Sequence, residues 1–152
     1  MIGGAAVRQY GGDIHGTRRL LSGSEDGTAI LWEVGEGKLK QRFSKGHTCV
    51  SSSSLWIHPD DDYAICLTGG TDGNIISWDI ETGDVKDKWW AHGDFALHAQ
   101  VVSSLVVSTV DMAVSGGSDG TICTWSLPAG EPIHTTKGRD IGGAVFALCL
   151  AP

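Results

Sequence analysis

The sequence predicts an all-β fold made of short, repeated antiparallel strands, and three observations support this prediction. Glycine makes up 22 of the 152 residues, roughly twice its average usage of about 7%, without the period of collagen. Tight turns, and therefore many short strands, account for such an excess. One segment of the sequence also recurs three times, and no stretch shows sustained helical periodicity of its apolar residues.

The repeated segment is a predicted hairpin that ends in tryptophan. Its three copies, which align without gaps, are residues 21–33, 67–79 and 114–126. The tryptophans Trp32, Trp78 and Trp125 are therefore 46 and 47 residues apart. In each copy an Asp-Gly pair supplies the turn, because glycine tolerates positive φ and aspartate bonds its own backbone. A period in the forties is typical of the four-stranded blade of a β-propeller.

Further turns at 35–37, 81–83 and 128–130 each introduce an outer strand, which completes a four-stranded unit. Residues 2–7 resemble residues 141–146, so the chain is expected to begin and to end in an inner strand. The predicted fold is one domain, a partial β-propeller of three antiparallel blades plus the inner strand of a fourth. The expected boundaries are about 1–46, 47–91 and 92–138 for the blades, and about 139–152 for the start of the fourth.

Three blades are too few for a ring, since propellers close with four to eight blades. The outermost blade faces are then expected to expose apolar surface, which indicates a partner. Three explanations stay open, in this order: a fragment of a longer propeller, self-association that closes a ring, and completion by another protein.

Two further motifs accompany the repeat. Gly46-His47 precedes the second blade, and Ala91-His92 stands at the same place before the third. The middle repeat ends in Trp78-Asp79. Over nearly its whole length the chain resembles the WD-repeat family, whose pattern combines Gly-His, a Ser or Thr, an Asp and the Trp.

The resemblance implies a structural role for residues that look like catalytic triads. In the family these side chains form a chain of hydrogen bonds inside each blade. The implied positions are His47, Thr68, Asp72 and Trp78 in the second blade, His92, Ser115, Asp119 and Trp125 in the third, and Ser22, Asp26 and Trp32 in the first. A buried indole N–H needs an acceptor, which a hydroxyl provides, and the carboxylate fixes the imidazole tautomer. Three near-copies argue against catalysis, so no catalytic residue is predicted.

Composition excludes several other functions. The net charge is −7, which repels phosphate backbones, and no basic face is expected, so nucleic acid is not a predicted partner. No apolar stretch reaches the ~20 residues of a membrane span, and no signal peptide is recognised. No cofactor or metal motif is present. The four cysteines lack CxxC spacing and are expected to be reduced, which favours a cytoplasmic location, with a nuclear location as the alternative.

The resemblance implies a scaffold that binds proteins or peptides and is not an enzyme. In the family, contact positions lie just before the turn aspartate and beside the inner strand. They correspond here to Glu25, Thr71 and Ser118, and to Arg8, Ser51, Ser53 and Gln100. Ordinary solvated surface is the alternative interpretation of these small or polar residues.

The pair Trp89-Trp90 is a separate candidate. Neighbours on a strand point to opposite faces, so one indole is expected in the core and the other can anchor a partner. The alternative is that adjoining blades cover both.

Residues 68–73 and 145–148 resemble repeats of the echinoderm microtubule-associated-protein-like family, which implies a cytoskeletal role as an alternative. An enzyme whose site lies in blades outside this chain is ranked last.

Overall fold

The computed structural model describes residues 6–8, 19–57, 64–94, 98–109, 111–136 and 142–149. Within them the chain forms three four-stranded antiparallel sheets and one two-stranded ribbon. In each four-stranded sheet the strands lie side by side in chain order, so every connection is a hairpin. The predicted all-β fold with three four-stranded blades is therefore confirmed.

The four strands of each sheet are consecutive along the chain, and the two-stranded ribbon lies between the second and third sheets. The first blade contains β1 (Ala6–Arg8), β2 (Arg19–Gly23), β3 (Ala29–Glu33) and β4 (Lys38–Phe43). The second contains β5 (Val50–Ile57), β6 (Ala64–Gly70), β7 (Asn74–Trp78) and β8 (Val85–Trp90). The ribbon pairs β9 (Gly93–Asp94) with β10 (His98–Ala99), and the third blade contains β11 (Val102–Thr109), β12 (Met112–Gly117), β13 (Ile122–Ser126) and β14 (Glu131–Thr136).

Burial differs between the blades in the way that stacking requires. Every residue of β6 is buried, because the second blade packs between the other two. In β2 buried and half-buried residues alternate, as expected for a strand with one face covered. The outer strand β14 is exposed along most of its length.

Two apolar clusters form the core, one at each junction between blades. At the first junction the Phe43 ring packs on Trp78, with ring centroids 5.4 Å apart. At the second, Trp89 packs on Trp125 at 6.2 Å. An aromatic side chain of one outer strand thus covers the repeat tryptophan of the next blade, in the same way twice.

Glycine allows the inner strands to approach the preceding blade. A Cβ at Gly23 would lie 2.4 Å from Val50, and a Cβ at Gly69 would lie 2.5 Å from Val102. Val145 stands in the same relation to Gly116, at 2.5 Å. Residues 142–149 thus dock on the third blade where a fourth inner strand is predicted. The structure assigns no strand to them, and none of the described residues pairs with them in a ladder.

Candidate functional site

In the second blade, four side chains form a continuous chain of hydrogen bonds from the core to the turn. Trp78 Nε1 donates to Thr68 Oγ1 at 2.7 Å, and the same oxygen lies 3.0 Å from His47 Nε2. His47 Nδ1 lies 2.9 Å from Asp72 Oδ1. Because the Thr68 oxygen accepts from the indole, its own hydrogen points to Nε2. The proton of the imidazole is then on Nδ1 and is donated to the carboxylate.

The third blade repeats this arrangement with one addition. Trp125 Nε1 donates to Ser115 Oγ at 2.8 Å, and Ser115 Oγ lies 2.8 Å from His92 Nε2. His92 Nδ1 lies 3.2 Å from Asp119 Oδ1 and 2.8 Å from Thr121 Oγ1. The histidine therefore faces both a carboxylate and a hydroxyl in this blade.

The electrostatics of both carboxylates follow from these partners. Burial by itself would raise the pKa of Asp72, but hydrogen bonds from His47 and Asn74 outweigh it and lower the pKa well below its usual range. For Asp119, burial is likewise opposed by hydrogen bonds from Thr121, and the pKa is lowered. Burial lowers the pKa of His92, and the charge of Asp119 only partly opposes this. Each carboxylate is thus held ionised.

In the first blade the chain of hydrogen bonds is shorter. Trp32 Nε1 donates to Ser22 Oγ at 2.9 Å, and the Ser22 hydroxyl donates to the Ile30 carbonyl at 3.4 Å. Asp26 accepts from both the backbone N–H and the hydroxyl of Thr28, at 2.9 and 2.6 Å. In the part of the chain that the structure describes, neither Ser22 nor Asp26 has a histidine partner.

These constellations are arranged as a framework and not as a triad that reaches a substrate. Both ring nitrogens of His47 and His92 have partners, and both histidine side chains are fully buried. The hydroxyl residues Thr68 and Ser115 are also fully buried. A nucleophile needs access to a substrate carbonyl or phosphorus, which these hydroxyls lack. What the arrangement does is to join the loop before each inner strand to the two middle strands of the same blade.

Three partners of the turn aspartates were missed in the sequence. Asn74 Nδ2 donates to Asp72 Oδ2 at 2.9 Å, and Thr121 Oγ1 donates to Asp119 Oδ1 at 2.7 Å, as Thr28 does to Asp26. A signal existed, because a polar residue stands two positions after the aspartate in every copy of the repeat.

The candidate surface residues divide into exposed and enclosed ones. Glu25 and Thr71 are exposed at the turns of the first and second blades. Ser118 is half-buried, where its hydroxyl donates to Gln100 Oε1 at 2.9 Å and accepts from the Val101 N–H. The side chain of Arg8 lies outside the described residues.

The two serines predicted beside the inner strand lie between blades. Ser51 Oγ contacts the carbonyls of Gly69 and Val102, at 3.1 and 2.8 Å. Ser53 is buried, and its hydroxyl donates to the Leu21 carbonyl at 3.3 Å. The surface prediction is wrong for Ser53, because the inner strand is packed between two sheets and has no free face.

Both tryptophans of β8 are half-buried. Trp89 packs against the core of the second junction, and a Cβ at Gly130 would lie 2.5 Å from its ring. Trp90 Nε1 donates to the Gly93 carbonyl at 3.3 Å. Adjoining blades and loops thus cover much of both indoles, which matches the alternative interpretation.

The described residues contain no group of three or more His, Cys, Asp or Glu side chains that could hold a metal ion. Residues 58–62, which include three consecutive aspartates, lie outside the described residues. All four cysteines are free, and burial raises the pKa of Cys66 to about 12, which keeps that thiol protonated. No helix in the described part of the chain is long and apolar enough to cross a bilayer.

A family model described as "WD domain, G-beta repeat" matches residues 10–33 and 37–79. These two segments are similar to WD repeats. The matched residues include the tryptophans of the first two blades and the complete hydrogen-bonded chain of the second. WD repeats are generally interaction modules, and the third blade repeats their geometry outside the matched segments. The match does not support the narrower resemblance to the echinoderm microtubule-associated-protein-like family.

Two solved structures are similar to this chain, and both are computationally designed proteins. The crystal structure of the designed Ika8 protein has a TM-score of 0.67 and 25% identity, over 96% of this chain and 39% of its own. The designed Ika4 protein has a TM-score of 0.66 and 27% identity, over 88% of this chain and 74% of its own. The chain thus spans well under half of the designed Ika8 protein. No curated protein sequence is significantly similar to it.

Proposed function

We infer that this chain is a non-catalytic scaffold that binds proteins or peptides through the turns at the histidine end of its blades. The proposal rests on the hydrogen bonds of the two buried histidines. In both complete blades the buried imidazole is occupied on both nitrogens by residues of its own blade. The polar residues that could have performed chemistry therefore hold the turns in place.

The turns themselves support the proposal, because they present side chains on a rigid base. Thr71 and Glu25 each stand directly before the turn aspartate and are exposed. Asp26 and Asp72, the next residues, are hydrogen-bonded to the second residue after them, so the backbone of each turn is fixed. A preorganised surface loses less conformational entropy on binding than a mobile loop does.

Affinity capture with turn variants tests the proposal. Glu25→Arg and Thr71→Arg change exposed side chains and are expected to keep the fold. The proteins that the wild-type chain captures should be lost or much reduced with the double variant. A matched control is Ala129→Arg, because Ala129 is exposed in the β13–β14 turn at the opposite end of the strands. If the control variant loses the same proteins and the turn variant keeps them, the binding surface is elsewhere.

A cytoskeletal role is the more specific alternative, and the sequence pattern at residues 68–73 is its basis. Co-sedimentation with microtubules at physiological salt tests it. If the chain appears in the pellet at a ratio to microtubules that saturates, this role is supported. If the chain stays in the supernatant, direct binding is excluded. We further propose that the chain is one segment of a longer propeller or closes a ring with a second copy. Its mass in solution tests this part of the proposal.

A further inference from the structure

Among the described side chains, the exposed positive charge lies on the outer strands of the first two blades. The exposed lysines and arginines among the described side chains all lie on two outer strands or directly after one of them. They are Lys38, Lys40 and Arg42 on β4, Lys45 behind it, and Lys86 and Lys88 on β8. Arg19, the remaining cation with a described side chain, is buried.

The cations recur at equivalent positions of the two blades. Arg42 and Lys88 each pair with the isoleucine two residues before the repeat tryptophan. Lys40 and Lys86 each lie at a β-bulge, where the ladder skips one residue of the outer strand. A bulged residue is left out of the pairing. In the third blade the same two positions hold Thr135 and Ile133, and β14 has no lysine or arginine.

Described carboxylates balance part of this charge, since Arg42 also interacts electrostatically with Asp26, and Lys86 with Asp79. Lys38 pairs with Glu36 at 2.6 Å, and Lys88 lies 3.5 Å from Asp72. Lys40, Arg42, Lys45 and Lys86 form no ion pair with a described residue. The side chain of Lys88 reaches the loop after β4, since its Nζ donates to the Gly46 carbonyl at 3.2 Å, directly after Lys45. Residues 38–45 and 85–90 thus hold six cations and one carboxylate, Asp87, with the carboxylates of Glu36 and Asp72 beside two of the cations, in a chain whose net charge is −7.

Among the described strands, each of these two is also the last strand of its sheet, with one row of backbone groups not paired to another described strand. Lysines on such an edge discourage pairing with neutral or basic strands. The same lysines favour an acidic strand, because its carboxylates replace the repulsion by attraction. A free edge in addition offers main-chain hydrogen bonds, which a peptide can form and a nucleic acid cannot.

We propose that the outer edges of β4 and β8 bind an acidic polypeptide segment in extended conformation, which adds as a strand beside the lysines. This site rests on the proposed role in protein binding and is separate from the turns that carry that role. The acidic remainder of the surface excludes dense polyanions and leaves the edge to segments whose carboxylates alternate with other side chains.

Fluorescence anisotropy with a labelled peptide of about eight alternating Glu and Thr residues tests the proposal, since that length spans a strand of six residues. The full-length chain should bind this peptide, and a Lys-Thr peptide should not bind. In the double variant Lys40→Gln and Lys86→Gln, the affinity should fall roughly 3- to 30-fold, the range expected for losing two exposed ion pairs. Raising the salt concentration should weaken wild-type binding more than binding to the variant.

The third blade offers a matched control. Ile133→Glu with Thr135→Glu changes the net charge by the same amount, at the equivalent positions of β14. This control should bind the peptide within about twofold of wild type, since β14 carries no cation of the site. Equal weakening in both variants would overturn the proposal, because it would reflect total charge only.

Three further outcomes also overturn it. N-methylation of alternate peptide residues removes main-chain donors, so unchanged affinity would rule out strand addition. A single-stranded oligonucleotide or an anionic vesicle that binds as tightly as the peptide would make the edge a general polyanion surface. If wild type does not bind and the Lys→Gln variant aggregates, the lysines only protect the edge. If this proposal is overturned while the turns at Glu25 and Thr71 still capture proteins, the proposed function remains supported.

Discussion

The first and second blades contain the same hairpin, but only the second has a histidine in its chain of hydrogen bonds among the described residues. A Cβ at Gly70 would lie 2.3 Å from His47 Nδ1 and 2.2 Å from Asp72 Oδ1, so only glycine leaves room for that ring. The first blade has Ser24 at the equivalent position, and its Oγ accepts from the Asp26 N–H at 3.3 Å. The Ser22 hydroxyl then donates to a strand carbonyl. One hydroxymethyl group at this position thus accompanies the difference between a complete and a shortened chain of hydrogen bonds.

The two blades also differ in how their tryptophans are covered. Trp78 is 2% exposed, because Phe43 of the preceding blade packs on it. Trp32 keeps its hydrogen bond to Ser22 but is only half-buried. The hydrogen bond of the indole is thus formed within its own blade, whereas the burial of the indole depends on the neighbouring blade.

The largest effect is expected from truncating the covered tryptophan. Trp78→Ala should lower the free energy of unfolding by about 3–5 kcal/mol, because it leaves a cavity under Phe43 and removes the indole that donates to the Thr68 hydroxyl. Trp32→Ala should cost less than half as much, since less buried area is lost. Urea denaturation followed by circular dichroism measures both. Equal losses would mean that coverage by the neighbouring blade does not matter.

Converting one blade into the other sharpens the comparison. Gly70→Ser should cost roughly 2–4 kcal/mol, because the new side chain displaces His47 and leaves Thr68 and Asp72 without their partner. The reverse change, Ser24→Gly, should cost only about 0.5–1 kcal/mol from added backbone freedom. Thermal unfolding of both variants tests this. A Gly70→Ser variant as stable as wild type would show that the second blade does not need its histidine.

Removing the Thr68 hydroxyl tests the middle of the hydrogen-bonded chain in the second blade. Thr68→Val keeps the shape but leaves the Trp78 indole and the His47 Nε2 unpaired, which should cost about 1–3 kcal/mol. Ser22→Ala, the matched change in the half-covered blade, should cost about 1 kcal/mol or less, because water can reach Trp32. Hydrogen exchange of the indole N–H reports each site directly. Faster exchange at Trp32 than at Trp78 in the wild type is also expected.

The smallest effect is a dependence of stability on pH. Since the pKa of His92 is lowered in the fold, the unfolded chain binds more protons, so stability should fall as the pH drops below about 6.5. One such group contributes a slope of at most about 1.4 kcal/mol per pH unit. The lowered pKa values of Asp72 and Asp119 act in a more acidic window, where stability is lost as pH falls below about 4.

Stability measured between pH 7 and 5 checks this prediction. His92→Asn should flatten the pH dependence, whereas His134→Asn, a change at an exposed residue of β14, should leave it unchanged. The same slope in both variants would assign the titration to another group.

Much of the fold could be predicted because its signals are local. The Asp-Gly turns and the alternating strands lie within 13-residue segments, and three copies in register reveal the blade period. The pairs Trp78–Thr68 and Trp125–Ser115 each lie ten residues apart on adjacent strands, so the hairpin alone brings them together. The histidine partners lie 25 and 27 residues from their aspartates, and the resemblance to WD repeats supplied them.

What could not be predicted concerns contacts between blades. Ser53 and Ser51 look like surface residues in the sequence, but neighbouring sheets enclose them because the inner strand has a blade on each side. Trp89 was undecided until its place between Gly130 and Trp125 was known.

The sequence by itself determined the blades, because a turn and the two strands that it joins are specified by residues close together in the chain. The tertiary structure alone decided which faces are covered and where charge collects. Lys40 and Lys86 are separated by a whole repeat, and only the pairing of the outer strands shows that both lie at a β-bulge of their blade. The physical reason is that side-chain alternation tells which residues share a face, whereas the stacking of sheets decides whether that face meets solvent or another blade.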